Sequence, residues 1–307
     1  MRPVVIEVQQ RYAFPTLILT ILIWGYNWVP VKIGLDYSSP MELSAMRVAG
    51  GACVLFVLLA LMRRPLGPPR DLTFLLLGLF QTAGNMGFST LAIAYGDISR
   101  ASILLFTMPL WAMIIARIWL AERIGMRRWI AGLIAGVGMG IVVADAAASH
   151  RTLIGALFAL CAGASWAIGV VIARRVLVSG QDVLSTVAWQ QLAGSVPIVL
   201  LAFAVHEQPV AWTGTFLVAL VFSAVIGSGL SWYLWGLSVS AIPASTVALW
   251  TLAIPIVASL SAFVQLGERP DVRQLIGFMF ILGALAFAMI GSARSRERPR
   301  RLEARAF

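Results

Sequence analysis

Tryptophan, amide and hydroxyl side chains recur at helical spacing inside long apolar stretches of this sequence. Trp24, Asn27 and Trp28 share one face of a helix, and Gln81 and Asn85 repeat that spacing in a later stretch. An indole or amide N–H deep in hydrocarbon is costly without a partner, so these groups face protein or a cavity. A cavity lined by indoles and amides is suited to a flat or partly apolar solute that is neutral or zwitterionic.

The candidate binding residues lie near the middle of their apolar stretches. They are Trp24, Asn27, Trp28, Gln81, Asn85, Met108, Trp111, Trp166, Trp232 and Trp250. Packing between helices explains each indole, taken singly, as well as ligand contact does. Interhelical hydrogen bonding is likewise an alternative for Asn27 and Gln81.

Two prolines, Pro109 and Pro255, lie inside apolar stretches at matching places in the two halves of the chain. A proline within a helix leaves the carbonyl four residues earlier, here those of Leu105 and Thr251, without its usual donor. The proline could simply kink the helix, or the freed carbonyl could accept a substrate ammonium. We predict that Pro109 and Pro255 are gating points.

The ionisable residues restrict the mechanism. No Asp or Glu lies at the centre of an apolar stretch, where an antiporter of lipophilic dications usually has a carboxylate. Arg47 lies about 10 Å inside its stretch, at 1.5 Å per residue. It either pairs with Glu42 or Asp36, or attracts the carboxylate of a substrate. We therefore expect a uniporter-like protein that moves its solute down a gradient.

These side chains must be positioned by helices in lipid. Hydrophobic residues make up 60% of the chain and charged residues 12%, against about 25% charged in soluble proteins. Continuous apolar stretches in a bilayer must be helical, because lipid offers the backbone no hydrogen bonds. Ten are predicted: Phe14–Ile33, Met41–Met62, Leu72–Tyr95, Ala101–Ala121, Ile130–Ala144, Thr152–Ala173, Val183–Val205, Thr215–Trp235, Ala244–Leu266 and Leu275–Ser292.

The distribution of basic residues predicts the orientation. With the N-terminus inside, 16 Lys and Arg fall in the inner connections and termini and 5 in the outer connections. Cytoplasmic loops carry the positive excess, so both termini should be cytoplasmic in a multi-pass protein of the cell inner membrane. The net charge of +10 reflects this topology and the tail, and no nucleic-acid partner is expected.

The chain contains an internal repeat. Trp24 in the first half corresponds to Trp166 in the second, and Ala101-Ser102 corresponds to Ala244-Ser245. Pro109 and Pro255 also correspond, and each of these two prolines lies thirteen residues before a Glu-Arg pair. Each half has five stretches, and an odd number reverses the second copy, as in many secondary transporters. The predicted fold is all-α, with two inverted five-helix repeats at residues 14–144 and 152–292 and a basic cytoplasmic tail at residues 293–307.

Several of these motifs resemble a known family. The run Ile23-Trp24-Gly25-Tyr26-Asn27-Trp28, followed by Lys32, Pro40, Arg47, Ala101-Ser102, Pro109 and Glu122-Arg123, is similar to the EamA repeat of the drug/metabolite transporter superfamily. Among its members the chain looks most like the YddG-type exporters of aromatic and other amino acids. The resemblance implies a central cavity lined by helices 1, 3, 4, 6, 8 and 9, with helices 5 and 10 as scaffold or oligomer contacts.

The predicted function is therefore export of small metabolites, including aromatic amino acids, by alternating access through a central cavity. A multidrug or other metabolite exporter of the same fold is the alternative. A membrane enzyme is the alternative from another class, but both histidines lie in connections and no nucleophile–base pair reaches the interior. Two cysteines and two histidines predict no metal site and no cofactor. The expected partners are the solute, the bilayer and a second copy joined through glycine-bearing helices 5 and 10.

Overall fold

The computed structural model describes residues 2–119, 125–178, 182–205, 209–241, 250–251, 253–284 and 286–287, with the side chains of most residues from Ala13 onward. Within these ranges the chain is helical and contains no β-strand. The predicted tail, the Glu122-Arg123 pair and Ala244-Ser245 lie outside the described residues.

The helical segments are numbered α1 to α10 in chain order, and consecutive helical pieces share one number. They are α1 (Arg2–Gly34), α2 (Pro40–Leu61), α3 (Thr73–Leu77, Gly78–Gly84 and Asn85–Tyr95), α4 (Ile98–Leu105 and Met108–Trp119), α5 (Met126–Ala146), α6 (His150–Val178), α7 (Val183–Ala204), α8 (Gly214–Val221, Phe222–Leu230 and Ser231–Ala241), α9 (Ile254–Leu266) and α10 (Val272–Ala284).

Six of the helices in the described ranges are long and apolar enough to cross a membrane. They begin at Ala13 in α1, Pro40 in α2, Trp129 in α5, His150 in α6, Val183 in α7 and Gly214 in α8. The described parts of α9 and α10 are shorter apolar helices. Large apolar side chains such as Leu61, Phe203 and Val264 point outward, which suits a lipid environment better than water. The chain is an all-α integral membrane protein.

Polar side chains fix the starts of several helices. Ser39 and Glu42 form a capping box at α2, and the side chains of Asp97, Asp182 and Thr213 accept backbone N–H groups at α4, α7 and α8. Each cap satisfies a donor that the first turn of a helix leaves unpaired. These residues therefore determine where each chain segment enters its helix.

Both α3 and α8 contain a π-helical stretch, at Gly78–Gly84 and Phe222–Leu230. Wider π turns are rare and are frequent at functional sites. Each stretch contains a glycine against a polar side chain of a neighbouring helix. A Cβ atom added at Gly84 would lie 2.0 Å from Ser165 Oγ, and one added at Gly227 would lie 2.3 Å from Asn27 Oδ1.

The two prolines lie at the starts of helical pieces and not inside continuous helices. α4 stops at Leu105, turns at Phe106-Thr107 and resumes at Met108, one residue before Pro109. Pro255 is the second residue of α9. A proline in a first turn removes no hydrogen bond, because those N–H groups have no partner inside the helix. The expectation of mid-helix kinks is replaced by two helix starts.

Helices from the first half pack mainly on helices from the second half. α1 contacts α8 and α9, and its counterpart in the second half, α6, contacts α3 and α4. In the same way α2 contacts α7 and α8, and its counterpart α7 contacts α2 and α3. Close crossings depend on glycine, as at Gly78 with Gly194 and at Gly138 with Gly277. Small residues let helix backbones approach in lipid, where packing holds the helices together.

Candidate functional site

A partly enclosed cavity lies near the middle of the helices, lined by residues of α1, α2, α3, α4, α6, α8 and α9 and by Thr251. The cavity and its opening contain about 710 Å³ of unoccupied space, of which about 90 Å³ admits the centre of a water molecule. One water needs roughly 10–15 Å³ of the volume that admits water centres, so the cavity has room for several waters or a small solute.

Four tryptophans that line this cavity pack against one another, and we call them the indole cluster: Trp24, Trp166, Trp232 and Trp235. The ring of Trp24 is central, with centroid distances of 5.7 Å to Trp166, 5.5 Å to Trp232 and 5.1 Å to Trp235. Such pairs contribute about 0.5–1.5 kcal/mol each beyond their buried area. The cluster gives the cavity a rigid aromatic wall.

Hydrogen bonds hold parts of this wall in position. Trp24 Nε1 donates to Ser231 Oγ at 2.8 Å, and Ser231 Oγ donates to the carbonyl of Gly227 at 2.6 Å. Asn85 Nδ2 donates to the carbonyl of Ala162 at 3.1 Å, which ties α3 to α6. The donors of Trp24 and Asn85 therefore have structural partners, while their side chains still line the cavity.

Arg47 also lines the cavity, with only 5% of its surface exposed. Its Nε has no hydrogen-bond partner, and its guanidinium forms no ion pair with any residue in the described ranges. Glu42, one of its two expected partners, accepts hydrogen bonds from Ser39 N and Oγ at the start of α2. The predicted pair with Glu42 or Asp36 is not formed.

Seven of the ten candidate binding residues line this one cavity: Trp24, Asn27, Trp28, Asn85, Met108, Trp166 and Trp232. The other three do not line it. Gln81 accepts a hydrogen bond from Gln190 Nε2 at 3.3 Å, and Trp111 Nε1 donates to Thr107 Oγ1 at 3.2 Å. Trp250 is 41% exposed and packs edge-on against Phe14, with ring centroids 4.8 Å apart.

Several residues that line the cavity were not among the predicted binding residues. Trp235 follows Trp232 by three residues, so helical spacing could have added it to the candidate set. Ser89 follows Asn85 by four residues and carried the same signal. Phe106 lines the cavity because α4 is interrupted there; Pro109 signalled a disturbance of this helix, but not which side chain it would direct inward.

Pro109 and Pro255 were predicted either to kink their helices or to free a carbonyl that accepts a substrate ammonium. Leu105 O lies over Gly163 of α6, where an added Cβ would be 2.7 Å away. The carbonyl of Leu105 thus takes part in a close crossing between α4 and α6.

Charged groups close the bundle at the end where α1 finishes, which we call the Lys32 end. Lys32 Nζ donates to the carbonyls of Ile93 and Gly96 at 3.1 and 2.9 Å. Ile98 N donates to Glu268 Oε2 at 2.9 Å, which joins the start of α4 to the end of α9. A second, polar cavity that includes Lys32 and Arg151 lies at this end.

An ion pair joins α2 to α7 at the opposite end, which we call the Arg64 end. Arg64 Nη1 contacts Asp182 Oδ2, and Asp182 Oδ1 also accepts from Ser185 N to begin α7. Trp189 Nε1 donates to the carbonyls of Leu66 and Gly67 nearby. The central cavity thus lies between two ends that are held by polar contacts.

We expect Glu268 to make the Lys32 end sensitive to pH. Burial raises the pKa of the Glu268 carboxyl, and this effect exceeds the opposing hydrogen bond from Ile98 and the charge of Lys32. A raised pKa means that the half-buried carboxyl holds its proton more tightly than a fully exposed one does. Stability from this group is therefore present in acid and is lost as the pH rises through the raised pKa.

The Glu268→Gln variant should accordingly gain apparent melting temperature over wild type as the pH rises from about 4 to about 7. The measurement is thermal unfolding of purified protein in detergent at each pH. Asp271→Asn, which removes an exposed carboxylate three residues later, serves as the control and should show no such trend. Parallel curves for Glu268→Gln and wild type would contradict this prediction.

Within the described ranges no three His, Cys, Asp or Glu side chains group together in a way that could hold a metal ion. The lining of the cavity instead offers aromatic rings, amides, hydroxyls and one guanidinium. Such groups bind and orient a solute. Membrane helices around a cavity of this kind are typical of proteins that bind a small molecule within the bundle.

Comparison with known proteins identifies the family. The EamA-like transporter family matches residues 12–144 and again residues 153–290, and the chain therefore belongs to that family. The resemblance inferred from the motifs is confirmed, and the protein is a multi-pass membrane transporter.

Relatives of similar length match most of the chain. The "Probable amino-acid metabolite efflux pump" of Salmonella typhimurium is 27% identical over 286 residues, covering 89% of this chain and 93% of the relative. The "Probable terminal-alkyne amino-acid exporter" of Streptantibioticus cattleyicolor is 28% identical over 300 residues, covering 94% and 95%. The "Uncharacterized transporter YoaV" of Bacillus subtilis is 26% identical over 271 residues, covering 86% and 92%.

A solved crystal structure also shares the fold. It superposes with a TM-score of 0.68 at 18% sequence identity, covering 93% of this chain and 99% of the other. The relatives described above are named as transporters, pumps or exporters and not as enzymes.

Proposed function

We propose that this transporter exports amino acids, aromatic ones among them, through the central cavity. The observation that carries the proposal is the cavity itself, in which the indole cluster, two asparagines and Arg47 surround the same space. Aromatic walls suit an apolar side chain, and the polar groups suit the charged ends of an amino acid. Two relatives with nearly full coverage are named for amino-acid efflux or export.

We further propose ten membrane spans, arranged as two inverted five-helix repeats at residues 14–144 and 152–292 and followed by a basic tail at residues 293–307. The packing supports this, because each contact of α1 and α2 with the second half has a counterpart when every helix number is shifted by five. The π-helical stretches support it too, since they occur in α3 and α8, which are also five apart.

The proposed orientation places both termini in the cytoplasm and the protein in the cell inner membrane. The excess of Lys and Arg in alternate connections and at the termini is its basis. The Arg64 end would then face the cytoplasm and the Lys32 end the outside. A homodimer through α5 and α10 remains a prediction, although within one chain these helices already meet at Gly138 and Gly277.

Transport would proceed by alternating opening of the two ends around the cavity. Helices α4 and α9 each begin a helical piece just before a proline, so Pro109 and Pro255 are the proposed gating points. The acidic residues in the described ranges lie at helix ends or in connections, which gives a proton no carboxylate relay through the middle there. We therefore propose a uniporter-like mechanism driven by the solute gradient.

The test is transport by purified protein in vesicles, with and without an imposed pH gradient. We expect tryptophan and phenylalanine to move down their own gradients at a rate that changes less than about twofold when the pH gradient is imposed. Aromatic cations serve as the comparison set, because a multidrug exporter of the same fold would move them equally well. Strong dependence on the pH gradient would refute uniport, and transport of the cations alone would refute amino-acid export.

A further inference from the structure

Two residues that line the central cavity each have a buried polar atom without a hydrogen-bond partner. Arg47 on α2 is 5% exposed, and its Nε has no hydrogen-bond acceptor. Asn27 on α1 is 7% exposed, and its Oδ1 has no donor. Both residues line the cavity together with the indole cluster. One of them is a cationic donor and the other a neutral acceptor, so their requirements are complementary.

Such groups are costly to keep buried. An unpaired guanidinium loses its hydration without gaining a carboxylate, and most buried charges in proteins are paired for this reason. Arg100, which is 9% exposed, shows the usual solution in this chain, with Asp145 at 2.8 Å and Asp97 at 3.6 Å. Arg47 differs from Arg100 in facing the cavity instead of an acidic side chain.

The surroundings of Asn27 keep its Oδ1 buried without a donor. Its Oδ1 lies over Gly227 in the π-helical stretch of α8, where an added Cβ would be 2.3 Å away. Gly227 therefore leaves the space that the amide occupies. Asn85, the other asparagine of the cavity, already donates to Ala162 O. Asn27 and Arg47 are thus the two lining residues with a known unfilled hydrogen-bonding capacity.

We propose that Arg47 and Asn27 recognise the two charged ends of a zwitterionic α-amino acid. The guanidinium of Arg47 binds the carboxylate, Asn27 Oδ1 accepts from the ammonium, and the indole cluster contacts the side chain. A guanidinium can donate two parallel hydrogen bonds to one carboxylate, which makes it selective for that group. This inference rests on the proposed function and adds to it a rule of selectivity, in which acids and zwitterions are preferred to amines.

The test compares three ligands that share an indole ring. Tryptophan carries both charged groups, tryptamine lacks the carboxylate, and indole-3-propionate lacks the ammonium. Binding to the purified full-length chain is measured by the rise in apparent melting temperature at increasing ligand concentration. We expect wild type to prefer tryptophan over both analogues by roughly 10-fold or more, as expected for loss of one charged hydrogen-bonded contact.

Variants assign each end of the ligand to one residue. Arg47→Gln should weaken tryptophan and indole-3-propionate by roughly 10- to 100-fold and leave tryptamine unchanged, while Arg47→Lys retains part of the affinity. Asn27→Ala should weaken tryptophan and tryptamine and leave indole-3-propionate unchanged. An equal loss for all three ligands would indicate a structural role and overturn the proposal.

Stability without ligand provides a second and opposite readout. Because Arg47 forms no ion pair with any residue that the structure describes, Arg47→Gln should keep or raise the apparent melting temperature of the ligand-free protein. Arg100→Gln, the matched control, should lower it, because it leaves Asp145 without its nearest cation. A variant Arg47→Gln that melts lower than wild type or fails to fold would overturn the proposal.

The two proposals fail in different ways. If wild type moves tryptophan into vesicles but binds tryptamine equally well, export stands and the recognition rule is wrong. If wild type shows the ligand preference but moves no amino acid, recognition stands and the proposed function is wrong. If Arg47→Gln kept the wild-type preference for tryptophan over tryptamine, Arg47 would not be part of the binding site.

Discussion

Trp24→Ala should reduce tryptophan transport in vesicles by roughly 10-fold or more and lower the stability of the protein. Trp24 contacts the three other rings of the indole cluster at 5.1 to 5.7 Å and donates to Ser231. Truncation of a large aromatic side chain costs about 3–5 kcal/mol, and here it would also leave Ser231 without its donor. The measurements are initial transport rates and apparent melting temperatures.

Two further variants separate the loss of binding from the loss of a tryptophan as such. Trp212→Ala removes an indole that is 63% exposed and lies outside the cavity, and it should transport like wild type. Trp24→Phe keeps ring contacts but not the hydrogen bond to Ser231. Its transport rate and apparent melting temperature should therefore lie between those of wild type and Trp24→Ala. Normal transport by Trp24→Ala would mean that the solute does not pass through this cavity.

Gly194→Ala should destabilise the protein more than any surface change, because no space exists for the added methyl group. Its Cβ would lie 2.4 Å from Thr82 Cβ and 2.5 Å from the carbonyl oxygen of Gly78. Overpacking of a well-packed site costs about 1–3 kcal/mol, and the backbone contact cannot be relieved by a rotamer change. Apparent melting temperature and the yield of monodisperse protein in detergent measure the effect.

The pattern of rescue tests the geometry of this crossing. Thr82→Ala combined with Gly194→Ala should recover only part of the loss, because it removes the contact with Thr82 Cγ2 at 2.6 Å but leaves Thr82 Cβ and the carbonyl of Gly78 in place. Gly87→Ala, in α3, is the matched control, because its added Cβ would meet nothing within 4 Å. Full recovery by Thr82→Ala, or an equal loss in the control, would show that α3 and α7 do not cross as closely as described.

The apolar stretches and the helical faces within them could be predicted from the sequence. Trp24, Asn27 and Trp28 were placed on one face by spacing alone, and all three line the cavity. The spacing signal was sufficient because residues on one face of a helix meet the same neighbour whatever that neighbour is. Trp235 carried the same signal beside Trp232 and was not selected.

Other features required the tertiary structure. The sequence left open whether Arg47 pairs with Glu42 or Asp36 or attracts a substrate carboxylate; in the structure Glu42 caps α2 and Arg47 lines the cavity. The outward position of Trp250 could not be predicted from its place in an apolar stretch either. The π-helical stretches were not predicted from any residue pattern either, because a π turn depends on packing against neighbouring helices.

The sequence by itself determined that this chain is a helical membrane protein with an internal repeat, since hydrocarbon forces apolar stretches into helices whatever their neighbours are. Only the tertiary structure decided which side chains meet at the centre. The physical reason is that lipid and the protein interior are both apolar, so composition does not reveal how a helix is rotated about its axis. That rotation directs Trp24 and Arg47 into the cavity and Trp250 away from it.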